Sequence, residues 1–287
     1  MEDKPIFDDY FSEKIYYGSE CNFTTLFIWR SCYDVNWAIC HGCLIIQVTR
    51  DGVSFILPPF GGIKEDLPKV IQTLKEHFNG QPFEMHGIYE STKEIFAQYL
   101  PEITEYIDDR DNWDYVYLQE KLANLSGRKY HGKKNHYNGF IKDHSDFVYE
   151  PITSANVAEC IAFGEKWCER RIGEDPSLEC EYCAIKEALN NLEVLELKGG
   201  LIRLNGEVQA FSFGEKVNDE MAVIHVEKAH PEIRGLYTAI NKEFVKNTWG
   251  DVQYINREED MGKEGLRKAK ESYNPEFMVK KFNTIIK

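Results

Sequence analysis

One pattern occurs twice in this chain and limits what it can fold into: a three-stranded meander that runs into an amphipathic helix. In the first copy, residues 37–58 are strand formers broken by His41-Gly42 and Asp51-Gly52, each suited to a two-residue hairpin turn. The next segment places Leu67, Val70, Ile71, Leu74 and Phe78 at i, i+3, i+4, i+7 and i+11, one buried helical face, with Pro68 tolerated in the first turn. In the second copy, residues 201–226 are broken by Asn205-Gly206 and Asn218-Asp219, and Ile233, Leu236, Tyr237, Ile240 and Phe244 repeat the helical spacing. A short apolar strand follows each helix, over 83–88 and 252–256, then a second helix and a last strand, around 103–118 and 277–286. The repeat lies in the order of elements more than in residue identity.

The second half adds an opening strand over 147–152 and helical stretches over 154–171 and 176–195. Its order, β-α-α-β-β-β-α-β-α-β, is that of the GNAT acyltransferase fold. The chain therefore resembles a tandem of two GNAT-like domains of the α/β class, each a mixed sheet with helices on both faces. Its 287 residues suit two domains. The expected division is 1–145 and 146–287, with the joint near 143–146.

Charge narrows the partners. The formal net charge is -14, yet two segments are basic. Residues 128–142 and 263–287 together hold +9, so the remaining 247 residues carry -23. A bound anion is expected at one of those islands, and the reading requires the two to meet at one cleft. No run reaches the roughly 18 apolar residues of a membrane span, and the start is acidic where a signal peptide is basic. The expectation is a cytoplasmic chain with no integral membrane contact. In that compartment the eight cysteines are expected to be reduced thiols, used mostly for packing. The pairs Cys40/Cys43 and Cys180/Cys183 span a hairpin turn and one helical turn, so no metal site is assigned to them.

Residues 123–140 mix Arg128, Lys129, Lys133 and Lys134 with Asn135, His136 and two tyrosines, the mixture that suits the phosphate backbone of RNA. Gly132, Gly139 and two asparagines argue for a shaped loop over a continuous helix. Residues 254–275 leave a buried strand and open a helix, and strand ends of α/β sheets are where ligands sit. Glu258 and Asp260 there are candidate general bases, with Arg267 and Lys270 one helical turn apart facing an anion. The alternative is a capped helix, with Asp260 as N-cap and Pro275 as stop.

The strings NREEDMGKEGLRKAKESYNP, LSGRKYHGKKNHYNGF and HVEKAHPEIRGLYTAINKEF resemble signatures of the phosphatidylglycerol lysyltransferase C-terminal domain family. That family is similar in fold to the Fem peptidyltransferases and includes transferases that move an amino acid from aminoacyl-tRNA to a lipid hydroxyl. The resemblance marks Arg128, Lys129, Lys133, Lys134, Asn135 and His136, and also Glu227, Lys228, Gly235, Tyr237, Asn256, Glu258, Asp260, Arg267 and Lys270. It implies an acyltransferase with a phosphate-rich donor, aminoacyl-tRNA, an unidentified amine or hydroxyl acceptor and no cofactor. Glu258 or Asp260 would take the acceptor's proton and Lys228, Arg267 or Lys270 would stabilise the oxyanion, with Lys133 and Lys134 on donor phosphates. Coenzyme A users of the GNAT fold carry R/Q-x-x-G-x-G/A before the central helix. Here Arg234-Gly235-Leu236-Tyr237 puts a bulky Tyr237 at the small position. An acyl-CoA-dependent N-acyltransferase is the alternative enzyme, and a non-catalytic RNA- or ligand-binding protein is the alternative from another class.

Overall fold

The computed structural model describes residues 1–12, 17–50, 52–170 and 177–287. Asp51, expected in a turn, and the helix ends expected at Arg171 and Pro176 lie outside the described residues. In chain order the first elements are α1 (Lys4–Phe11), α2 (Phe23–Ile28), β1 (Asp34–Cys40), β2 (Cys43–Arg50), β3 (Val53–Ile56), α3 (Leu67–His77), β4 (Phe83–Ile88), α4 (Glu90–Tyr99) and β5 (Ile107–Asp108). Next come β6 (Asp114–Leu118), α5 (Gln119–Asn124), α6 (His131–Asp143), β7 (Val148–Pro151), α7 (Val157–Glu169), α8 (Ser177–Asn190), β8 (Lys198–Leu204), β9 (Glu207–Lys216) and β10 (Met221–Ala229). The chain closes with α9 (Leu236–Thr248), β11 (Tyr254–Asn256), α10 (Glu264–Glu271), β12 (Phe277–Val279) and β13 (Phe282–Ile286).

These elements form two compact units. The first comprises residues 1–114, 259–263 and 279–287, and the second residues 115–258 and 264–278. The division differs from a joint near 143–146, because the last strand of each half of the chain joins the sheet built by the other half. In the second unit, β6 pairs antiparallel with β11, Val116 opposite Asn256. In the first unit, β13 pairs antiparallel with β4 and β5. Strand periodicity shows that a strand forms, not which sheet it completes.

The first unit holds a six-stranded mixed sheet, β1-β2-β3-β4-β13-β5, in which β3 and β4 run parallel. The turn joining β1 and β2 has His41 and Gly42 at φ 48° and 78°, the left-handed pair of a type I′ hairpin. As the spacing predicts, Leu67, Val70, Ile71 and Leu74 of α3 are buried, against Ile45, Ile56, Phe83 and Met85 of the sheet. Each such side chain stabilises the fold by roughly 1.5–3 kcal/mol.

A cluster of charged side chains is buried in this unit around Lys281. Lys281 Nζ lies 2.7 Å from Glu20 and 2.8 Å from Asp114, and Asp114 accepts hydrogen bonds from the Ser19 amide and hydroxyl. Burial alone would lower the Lys281 ammonium, but Asp114 and then Glu20 outweigh it and hold it well above the ordinary lysine range. Truncating one partner of a buried ion cluster leaves uncompensated charge. We expect Lys281→Met to cost about 3–5 kcal/mol in urea unfolding, with the slope m unchanged. A loss below about 1 kcal/mol would show that the two carboxylates find other partners.

The second unit holds a seven-stranded sheet, β12-β6-β11-β10-β9-β8-β7, in which β10 and β11 run parallel. Asn205 and Gly206 make the β8–β9 turn at φ 52° and 83°, and Val217 and Asn218 amides close the β9–β10 loop on the Met221 carbonyl. Central helix α9 buries Leu236, Ala239, Ile240, Phe244 and Val245, but also the polar Asn241 and Glu243. Each unit is thus a meander, a helix and a parallel strand, the tandem GNAT-like plan of a mixed α/β fold.

Of the shaped loop expected over 123–140, residues 125–130 are turn and a short 3-10 segment, but from His131 onward the chain is helix α6. Tyr130 and Phe140 are buried, and Lys133 and Tyr137 are half-buried between them. The 3, 7 and 10 spacing of these residues makes one inward stripe, and the Tyr137 hydroxyl donates to Glu243 of α9. Packing of that stripe outweighs the poor helical propensity of Gly132 and Gly139.

Candidate functional site

The site lies in the second unit, where the parallel strands part. β10 and β11 pair only from Met221 to Val223 against Tyr254 to Asn256. A shift of register between Ile224 and Val226 then bends β10 against β9. Beyond that point the strand ends carry polar side chains.

Glu227, on β10, accepts from Arg257 at 3.0 Å and from Asn241 of α9 at 2.8 Å. Arg257 follows β11 directly, and its guanidinium lies 4.7 Å from the Tyr273 ring centre and 5.7 Å from that of Tyr117. Two polar atoms of this group are buried without a hydrogen-bond partner, the donor Arg257 Nη1 and the acceptor Asn241 Oδ1. Such orphans cost about 1–3 kcal/mol each and are kept where something else satisfies them.

Lys133 completes the group from α6, with Nζ 3.9 Å from the Tyr273 ring centre. It has no ion-pair or hydrogen-bond partner among the described residues. Burial, and then the nearby Arg257 charge, lowers its ammonium to about 8, against a smaller opposing effect of Glu227. The phenol of Tyr273 is pushed up to about 12 by burial, so it stays neutral here. Two cations and one carboxylate therefore lie together, largely withdrawn from solvent, with an excess positive charge and an unused donor. That arrangement suits an anion or a carbonyl oxygen gaining negative charge.

The other expected site residues are placed as follows. Arg128, Lys129, Lys134, Asn135 and His136 are exposed, on α6 or the turn before it. Lys228, next to Glu227, points to the opposite face of β10, where it pairs with Glu181 at 2.7 Å and lies over the Trp167 ring. The period of two along a strand separates these neighbours. Gly235 opens α9 at φ 82°, and a Cβ there would collide with the His136 carbonyl of α6. Tyr237 packs half-buried beside Phe140, Leu236 and Ile240. Asn256 is buried and accepts from the Glu258 amide.

Lys270 is buried too, and its ammonium donates to the Arg257 and Glu258 carbonyls. Arg267 is half-buried on α10. Asp260 belongs to the first unit, fully buried, where it accepts from the Gly262 amide and pairs with Arg110 at 3.2 Å. It closes the turn ahead of α10, which begins at Glu264. The two basic islands meet only in part. Lys133 and Lys129 reach Tyr273 and Asn274 within the second unit, while Lys280, Lys281 and Lys287 belong to the first.

Arg257, Tyr273 and Asn241 were not singled out from the sequence. Arg257 sits inside the string NREED, and a lone arginine directly after a buried strand is the signal that could have found it. Asn241 shows as a polar residue on an otherwise apolar helix. Among the described residues no group of three or more His, Cys, Asp or Glu is placed to hold a metal ion. Cys40, Cys43 and Cys183 are free thiols, but Cys32 and Cys180 are disulfide-bonded, so the expectation of eight reduced thiols does not hold.

A family model described as phosphatidylglycerol lysyltransferase, C-terminal, matches residues 15–285. The chain belongs to that family. This phosphatidylglycerol lysyltransferase C-terminal family member resembles a conserved protein of unknown function from Bacteroides thetaiotaomicron, with 32% identity, a TM-score of 0.93, and 100% and 97% of the two chains covered. The structure of L-PGS from Bacillus licheniformis shares its fold, with 14% identity, a TM-score of 0.58 and 93% of each chain covered. An uncharacterised protein of Mycoplasmoides gallisepticum is 23% identical over 175 residues, 59% of this chain. The match spans about half of that relative, 54%. No helix among the described residues is long and apolar enough to cross a membrane.

The low ammonium value of Lys133 has a direct consequence. In competitive labelling with an amine reagent we expect Lys133 to react with a midpoint near pH 8, below that of exposed lysines. Arg257→Gln removes the neighbouring cation and releases Glu227, so the midpoint should rise. An unchanged midpoint would separate the two side chains electrostatically.

Proposed function

We propose that this chain is an acyltransferase that moves an aminoacyl group from aminoacyl-tRNA to an amine or hydroxyl acceptor. The observation that carries the reading is the meeting of Lys133 and Arg257 over Tyr273, with Arg257 Nη1 unbonded and Lys133 unpaired in the parting of β10 and β11. Family membership and fold support acyl transfer, and the family is named for a phosphatidylglycerol lysyltransferase.

The reaction is attack on an ester carbonyl. The acceptor oxygen or nitrogen bonds to the acyl carbon, the bond to the ribose oxygen breaks, and the acceptor's proton ends on that oxygen. Arg257 donates to the oxygen that gains negative charge. Lys133, as the neutral amine, takes the acceptor's proton and returns it to the leaving ribose oxygen. The exposed Arg128, Lys129 and Lys134, with Asn135 and His136, hold donor phosphates on the outer side of the helix whose inner side carries Lys133.

Two features favour a polynucleotide over coenzyme A as donor. Helix α6 lies against Gly235, at the start of α9, where coenzyme A users of the fold bind pyrophosphate. The Ile233 amide of the preceding loop and the Leu236 amide that opens α9 are spent on the His230 and Ile233 carbonyls.

Filter binding to a charged tRNA pool and to the same pool deacylated, at low and physiological salt with coenzyme A as competitor, tests the reading. We expect preference for the charged pool. Joint substitution of Arg128, Lys129 and Lys134 by Gln should weaken both pools and flatten the salt dependence by about two to three ions. Lys133→Met should keep RNA binding while transfer falls about 10²- to 10³-fold. No RNA binding at low salt, or displacement by coenzyme A, would overturn the reading.

A further inference from the structure

His225 is the one histidine of β10; it opens the string HVEKAHPEIRGLYTAINKEF, but neither the residues marked there nor the proposed chemistry gives it a role. Its ring is almost wholly buried, 1% exposed, between two carboxylates: Nε2 lies 2.9 Å from Glu215 of β9, and Nδ1 lies 2.9 Å from Glu258. A carboxylate accepts, so both ring nitrogens must carry hydrogen, and the ring between them is the imidazolium.

Glu258 is the residue after Arg257, and it stands at φ 58°, a left-handed conformation that glutamate seldom adopts. Four contacts hold it there. The Asn256 side chain accepts from its amide, its carbonyl accepts from the Tyr115 amide and from Lys270, and His225 grips its carboxylate. The first three are uncharged or act on the backbone. Among the described residues His225 is the partner of the Glu258 side chain, and a turn so held fixes the direction in which Arg257 leaves β11.

We propose that His225 is a positioning residue, whose imidazolium between Glu215 and Glu258 holds the turn that aims Arg257 at the reacting carbonyl. The catalytic part rests on the function proposed above, but the positioning does not. The charged groups facing the ring are Glu215 from β9 and Glu258 from the turn, with Lys270 of α10 on the Glu258 carbonyl. Burial alone would lower the imidazolium, but its bonds to Glu215 and Glu258 outweigh that and raise it to about 9. The stability it contributes is therefore complete below about pH 6.5. It is lost as the pH rises through about 9.

The test reads Arg257 directly. In protein labelled with ¹⁵N at histidine and arginine, we expect His225 to show two protonated ring nitrogens at pH 7 and to titrate near pH 9. The Arg257 Nε–H signal should move with the same midpoint. In His225→Gln, Arg257 Nε–H exchange should quicken at least tenfold while signals of the first unit stay in place. An unchanged Arg257 in that variant would overturn the proposal.

Should His225→Gln fail to fold, Glu215→Gln keeps the bond to Glu258 and removes one charge. The histidine midpoint should then fall and Arg257 should follow it. An Arg257 signal that ignores the histidine's titration would overturn the proposal. Transfer assayed on the same samples separates the two readings. Co-titration with no aminoacyl transfer by wild type keeps the positioning and removes the function, whereas transfer without co-titration does the reverse.

Discussion

The pairing of two parallel strands stops after three residue pairs, and the candidate site follows from that stop. Where β10 and β11 are joined, the ladder uses the backbone, and Met221, Ala222, Val223 and Ile255 are buried apolar side chains. Past Val223 and Asn256 the strands no longer satisfy one another, and side chains and turns take over. Glu227 reaches Arg257 across the parting, Asn256 turns back on the Glu258 amide, and Lys270 takes up two carbonyls. An α/β sheet opens at its strand ends for this reason, and the opening is where a ligand can meet groups the fold has not consumed.

The chemistry of the opening comes from a balance among few charges. Glu227 neutralises one of the two cations near it, so Lys133 is left against Arg257 where burial desolvates both. Water would screen that repulsion, but a half-buried lysine over an aromatic ring has little water to do so. Its proton is held loosely as a result. Lys281 shows the opposite outcome in the first unit, where two carboxylates bracket one ammonium and hold its proton firmly. Burial is common to both lysines, and the count of nearby anions decides the sign.

Helix α6 shows why part of this was hidden. Counted by propensity, two glycines and two asparagines in thirteen residues read as a loop. Counted by position, Tyr130, Lys133, Tyr137 and Phe140 fall on one face, and that face packs on α9 and Tyr273. The stripe escapes a hydrophobic count because one of its members is a lysine and two are tyrosines. Conversely, Lys228 and Lys270 looked like site residues by their neighbours in the chain. The structure engages the first on the other face of the sheet and the second with backbone carbonyls.

The sequence by itself determined the doubled meander and helix, the turn positions at His41-Gly42 and Asn205-Gly206, and the two basic segments. Period and turn chemistry are local, carried by residues within about a dozen positions of one another. Only the tertiary structure decided that β6 and β13 join each other's sheets, that Lys133 turns inward while Lys134 turns out, and that Arg257, Asn241 and His225 face partners ten or more positions away. Those facts depend on which surfaces meet. A sequence gives each surface its pattern, but the partner that satisfies a buried charge is fixed by contact across the fold.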